Sequence, residues 1–163
     1  MSAVIALVNP KFSANVASVL RTADCFGVNT LLLTGHRYSK HSMDTSAAYS
    51  RVSLIHTENL RDQIPFDHIP VAIEIVEGCD SLPKFTHPRN VIYVFGPEDG
   101  SLSREHLSFC KNVIRIPTLL CLNLAVCVGV VLYDRTAKIA RGEARSGNPS
   151  SASKGQLAWR QEI

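Results

Sequence analysis

Six short apolar runs, rich in β-branched residues, recur along the chain with amphipathic stretches between them, and this alternation constrains the fold more than any other feature. The runs are Ala3 to Val8, Thr30 to Leu33, Val52 to Ile55, Val71 to Ile73, Val91 to Phe95 and Val113 to Ile116. Their length and β-branching read as buried strands. Helical spacing is predicted at about 13–26, 57–64, 103–110 and 122–140. Strand followed by helix, repeated, is the pattern of an α/β fold with a mostly parallel sheet and helices on both faces. Ser13 is placed to cap the first helix, Gly27 to end it, and Ser103 to cap the third.

With 163 residues, 45% of them hydrophobic, one core is expected and two are not. A single domain is predicted over 1–141. Beyond it, Gly, Ser, Pro and Asn dominate, so 142–163 reads as a flexible C-terminal tail in which Trp159 could dock. No run of about 18 apolar residues occurs and no secretion signal is evident, so a cytoplasmic, non-membrane protein is expected. The five cysteines are scattered and odd in number, which points to reduced thiols. Histidines at i, i+4 spacing and Cys-x-x-Cys pairs are both missing, so no metal is expected.

Net charge is only +3, too small to argue for a polyanionic partner by itself. Its distribution is uneven. Residues 1–51 carry five basic and two acidic side chains, residues 52–134 six and ten, and residues from Arg135 onward six and two. A polyanion would therefore meet the first third and the C-terminal segment, although an ordinary solvated surface accounts for charge alone equally well.

Three segments carry candidate chemistry. In Asn9 to Gly27, Val16, Val19, Leu20 and Ala23 share a helix face, which leaves Asn15, Ser18 and Arg21 free of packing. Arg21 reads either as a phosphate or carboxylate clamp or as a plain surface arginine. In Phe95 to Leu102, a loop leaves a strand and enters a helix, where open α/β sheets build their ligand crevice. Gly96 and Gly100 would let the backbone approach a ligand; a simple acidic turn is the other reading. In Ile116 to Asp134, a strand stops at Pro117 and Asn123 opens a helix that is apolar on almost every side. Such a helix needs cover on several faces, a second subunit being one source. Asn123 serves there as a structural cap or as a ligand contact.

In this order and at these separations, Asn15 to Arg21, Gly96 to Leu102, and Ile116-Pro117 with Leu122-Asn123-Leu124 resemble the three motifs of SPOUT-class RNA methyltransferases of the SpoU/TrmH branch. The resemblance covers about 4–140. It implies the SPOUT α/β fold with a deep C-terminal trefoil knot, a homodimer with its active site at the subunit interface, and methyl transfer from S-adenosylmethionine to a ribose 2′-hydroxyl of RNA, leaving S-adenosylhomocysteine. Transfer RNA is the expected substrate ahead of ribosomal RNA.

The same resemblance implies residue roles. Ile75, Phe95, Gly96, Gly100, Ile116, Leu122 and Leu124 would form the cofactor pocket, with Ile116 and Leu124 flanking adenine. Arg21 would bind the phosphate beside the target ribose and stabilise the developing alkoxide, since a guanidinium is a poor base. Asn15 and Asn123 would orient the site, and Glu98 would fix the loop of the second motif or balance Arg21. Lys11, Arg37, Lys40 and His41 are the candidates for holding the RNA backbone. The chain departs from the motifs at Ala17, at Gly100-Ser101, in a short 117–121 turn and at Cys121, where the family usually has Ser. A non-catalytic RNA-binding or assembly protein on the same fold is the alternative. A nucleotide-binding fold of another kind is disfavoured, because Asn9-Pro10-Lys11-Phe12 follows the first strand in place of a glycine-rich phosphate loop.

Overall fold

The computed structural model describes residues 1–38 and 48–143. Seven strands form one sheet: β1 (Ser2–Val8), β2 (Thr30–Thr34), β3 (Ser53–His56), β4 (Ile69–Ile73), β5 (Asp80–Ser81), β6 (Asn90–Phe95) and β7 (Asn112–Arg115). Their order is β3-β2-β1-β6-β4-β7-β5, and every pairing is parallel. Helices α1 (Ser13–Cys25), α2 (Ala48–Arg51), α3 (Arg104–Phe109) and α4 (Leu124–Ala140), with two 3-10 segments at Arg61–Gln63 and Leu82–Lys84, complete the described elements.

Alternation along each strand sends side chains to two cores. Ile5 and Leu7 of β1, with Tyr93 and Phe95 of β6, pack against Val16, Val19 and Leu20 of α1 and Val128, Val131 and Leu132 of α4. Val4, Ala6 and Val8, with Ile92 and Val94, meet Leu107 and Cys110 at α3 on the opposite face. Both faces are covered, as an all-parallel sheet requires.

Two local expectations are corrected, and one strand was not expected. The stretch 57–64 is no helix but a turn with one 3-10 segment at Arg61–Gln63. The Asn59 side chain accepts from the Arg61 N–H and donates to Asp62, the local bonding by which Asn and Asp favour turns over helices, and Pro65 follows. Ser13 lies inside α1, whose cap residue is Phe12 with no side-chain bond of its own. Strand β5 is only two residues long and left no pattern to read. Ser103 does cap α3, accepting from the His106 N–H, and Gly27 follows α1 at φ +70°, where a side chain would be strained.

Away from the carboxyl ends of the strands, the second half of α4 is fastened by buried polar groups. Arg135 donates to the carbonyls of Ser2, Pro88 and Arg89. Lys138 donates to those of Leu82 and Phe85 and pairs with Asp134 at 2.7 Å. Asp134 in turn bonds the fully buried His87, whose other ring nitrogen meets the Tyr93 hydroxyl. Burial pushes the His87 pKa down to about 4 against the opposing pull of Asp134.

Candidate active site

Helix α1 follows β1 onto one face of the sheet and α3 follows β6 onto the other, and β1 and β6 are neighbours. Their connections diverge there, the switch point at which open α/β sheets leave a crevice beyond the strand ends. Glu98, in the loop after β6, spans it. Its carboxylate accepts from the Lys11 N–H at 2.7 Å, the Phe12 N–H at 3.4 Å and the Asn15 side-chain amide at 2.7 Å. Helix α1, lacking a cap from its own sequence, thus receives one from a residue far along the chain, and an anion suits a helix N-terminus electrostatically. Burial works to raise the Glu98 pKa, but the bonds from the Lys11 N–H, Asn15 and the Phe12 N–H outweigh it and hold the group ionised below the usual carboxylate range.

The same chain of bonds reaches the third segment. Asn123 donates from Nδ2 to Asn15 Oδ1 at 2.9 Å, while its own Oδ1 accepts from the Ala125 and Val126 N–H groups. Asn123 is therefore the cap of α4 and a partner of Asn15 at once. Three predicted residues, Asn15, Glu98 and Asn123, form one continuous network from three separate parts of the sequence. Arg21 is not in it. It lies exposed on α1, six residues or about 9 Å along the helix from Asn15, and makes no ion pair among the described residues. Of the two roles expected of Glu98, the geometry carries the loop-fixing one.

A second fastening lies beside the first. Asp99 pairs with Arg37 at 3.0 Å and with Lys11 at 3.3 Å, and bonding to Arg37 first of all holds its carboxyl below the ordinary range. Arg37 also donates to the side chain and carbonyl of Asn9, which sits at φ +46°. Gly35 is required opposite: a Cβ there would lie 2.3 Å from Asn9 Oδ1. Lys11 and Arg37, expected to hold RNA, share one carboxylate and leave one net positive charge between them. Lys40 and His41 lie outside the described residues.

Next to this network, a cavity opens at the carboxyl ends of β4, β6 and β7 and the start of α4. All seven residues expected around a cofactor line it: Ile75, Phe95, Gly96, Gly100, Ile116, Leu122 and Leu124. Glu98 lines it too, and so do Cys121 and Cys127; burial first, then the neighbouring Cys121, raises the Cys127 thiol above its normal value. A Cβ on Gly96 would stand 3.3 Å from the Leu102 nitrogen and 3.4 Å from Glu74 Oε2, so glycine keeps this wall open. Glu74 was missed in the sequence. It is the residue after β4, and the rule that ligands sit beyond strand ends was the available signal. Among the described residues, no group of three or more His, Cys, Asp or Glu is arranged to hold a metal, and no helix is long and apolar enough to cross a membrane.

Comparison with known proteins identifies the family and agrees with the fold. The family described as SpoU rRNA Methylase matches residues 2–133. A relative from Methanocaldococcus jannaschii, the tRNA (cytidine-2′-O-)-methyltransferase TrmJ, is 28% identical over 176 residues, covering 92% of this chain and 74% of its own. Among solved structures, one concerned with 2-OH methylation of C/U34 on tRNA superposes with a TM-score of 0.74 at 24% identity, covering 86% of this chain and 97% of that one. The SpoU methyltransferase AviRb from Streptomyces viridochromogenes, in complex with AdoMet, gives 0.74 at 17% identity, over 85% of this chain but only 61% of AviRb.

Proposed function

Since the chain belongs to the SpoU rRNA methylase family, we propose that it transfers the methyl group of S-adenosylmethionine to a ribose 2′-hydroxyl of transfer RNA, acting as a cytoplasmic homodimer. One observation carries the reading. Asn15, Glu98 and Asn123 are hydrogen-bonded in series along the edge of a cavity that all seven expected cofactor residues line. The transfer RNA substrate is favoured over ribosomal RNA by the archaeal relative, which methylates cytidine in tRNA.

The cavity suits the cofactor chemically. Ile75, Ile116 and Leu124 offer apolar walls to a purine, Gly96 removes the side chain that would narrow the opening, and Glu74 and Glu98 place negative charge beside a cationic donor. When bound, S-adenosylmethionine supplies an electrophilic methyl on a sulfonium, to be attacked in line by the ribose oxygen. The chain's own task is positioning. Glu98 locks Asn15 and the start of α1 against the loop after β6, and Asn123 ties α4 to the same point, so the two asparagines are held to orient substrate groups. Arg21 holds the phosphate next to the target ribose and stabilises negative charge growing on the oxygen, with the proton leaving toward that phosphate. Lys11 and Arg37 steer the RNA backbone.

A second copy accounts for what one copy leaves exposed. Leu119, Leu120, Val126 and Tyr133 stand in solvent around the cavity loop and along α4, and Arg21 is exposed and makes no ion pair among the described residues. Docking of a twin on this face would cover the apolar residues and bring Arg21 to an interfacial site. The C-terminal threading implied by the resemblance belongs to the same proposal.

The test is transfer of labelled methyl from S-adenosylmethionine to purified tRNA, followed by mapping of the 2′-O-methyl position. Labelled tRNA is the expected result. No binding of S-adenosylmethionine at millimolar concentration would replace this reading with a non-catalytic RNA-binding protein on the same fold.

A further inference from the structure

Glu74 contributes more than negative charge: it is placed like a ligand-binding group. It sits immediately after β4, between the ends of β6 and β7, and lines the cavity. Its carboxylate is fixed by two backbone donors: the Leu102 N–H to Oε2 at 2.8 Å and the Ile75 N–H to Oε1 at 2.9 Å. Each carboxylate oxygen accepts about two hydrogen bonds, so one acceptor site is left on each. Among the described residues, Glu74 makes no ion pair, although Arg115 lines the same cavity. A half-buried anion, rigidly held and half satisfied, is costly unless something in the cavity completes it. Gly96 keeps the approach open, because a Cβ there would come within 3.4 Å of Oε2.

Building on the cofactor reading above, we infer that Glu74 is the acceptor for the vicinal 2′ and 3′ hydroxyls of the cofactor's own ribose. Two O–H donors on adjacent carbons match two oxygens with one open site each. Acidic side chains at strand ends read ribose in this way in unrelated dinucleotide folds. The position agrees as well. Glu74 adjoins Ile75, and its N–H donates to the Ile114 carbonyl two residues before Ile116, so it lies beside the apolar walls, and ribose is one bond from the purine those walls receive. A sulfonium has no hydrogen to donate, so it would use the charge of Glu74 but neither of its fixed directions. Glu74 is thus a binding and specificity residue, selecting a ribonucleoside donor over a deoxy one.

Calorimetry on the full chain tests this without catalysis. The ligands are S-adenosylhomocysteine, its 2′-deoxy and 3′-deoxy analogues, and S-adenosylmethionine, each titrated into wild type and Glu74→Gln. In wild type, loss of either hydroxyl should weaken binding about tenfold or more, the effect of removing a hydrogen bond to a charged group. In Glu74→Gln, whose thermal melt checks that it folds, the penalty for the missing hydroxyls should largely vanish. Wild-type protein that binds the deoxy analogues as tightly as the parent overturns the inference, with no variant needed. So does a penalty that persists undiminished in Glu74→Gln, which would assign the hydroxyls to another group. A Glu74→Gln defect confined to S-adenosylmethionine would assign Glu74 to the sulfonium instead. No binding of S-adenosylhomocysteine to wild type would remove the cofactor reading itself, and with it this inference.

Discussion

Replacing Glu98 by Gln keeps the length of the side chain but turns one acceptor oxygen into an N–H donor. One of the Lys11, Phe12 or Asn15 donors would then face another donor. We expect Glu98→Gln to destabilise the protein by roughly 1–2 kcal/mol, read as a melting temperature lower by a few degrees, and to cut methyl transfer more than tenfold. Because the folded pKa of Glu98 is depressed, its contribution is complete above the unfolded carboxylate range and fades as pH falls through the lower folded value. The variant should lose that part of the acid dependence in urea titrations at stepped pH. Arg21→Ala should behave in the opposite way. The side chain is exposed and makes no ion pair among the described residues, so stability and cofactor affinity should barely move while transfer is abolished; undiminished activity would take Arg21 out of the mechanism. Asn15, Glu98 and Asn123 were legible as separate residues because each stands next to a turn or a helix start. Their convergence was expected only from the family resemblance, and the bonds that join them were not legible, since the partners are 83 and 108 positions apart and no local pattern encodes such a pairing. Glu74 escaped for a related reason: a single acid after a strand looks like any polar residue ending an apolar run.

Among the elements, strands and long helices were readable to within a few residues because period and β-branching are local properties. What failed was finer, and in one case long-range. Asn59 and Asp62 turned a weak helical pattern into a turn, and α1 takes its cap from Glu98 and not from Ser13. Helix α4 shows how one element serves two ends of the sheet. Its first turn belongs to the site through Asn123, and its last turns are bolted to the chain before β6 by Arg135, Lys138 and Asp134. His87 makes that bolt sensitive to acid. Its folded pKa near 4 lies below the unfolded value of about 6.5, so the unfolded chain takes up the proton first as pH falls. Stability should be fully present above about pH 6.5 and decline toward pH 4, by up to about 3 kcal/mol. Urea midpoints for wild type should follow that slope, and His87→Gln, which does not titrate, should flatten it.

For the molecule as a whole, the parallel sheet and its two covered faces followed from the alternation of runs, whereas the outward apolar residues of α4 and the 117–121 turn are accounted for by the proposed second copy. We expect sedimentation of wild type to show a dimer. Charge placed on the exposed apolar face, as in Val126→Glu with Tyr133→Glu, should yield monomers with intact helicity but little transfer activity. A monomeric wild type with full activity would refute interfacial completion of the site.

The carboxylate that organises the start of α1 has a further consequence for how the protein comes into being. Helix α1 is synthesised early, yet the group that finishes its first turn is made 83 residues after Asn15, and Asn123 later still. A nascent chain halted at the end of β6 would hold the first helix without its anchor. We expect chains truncated before Glu98 to leave the start of α1 unfastened, a loss of order there that amide hydrogen exchange would register.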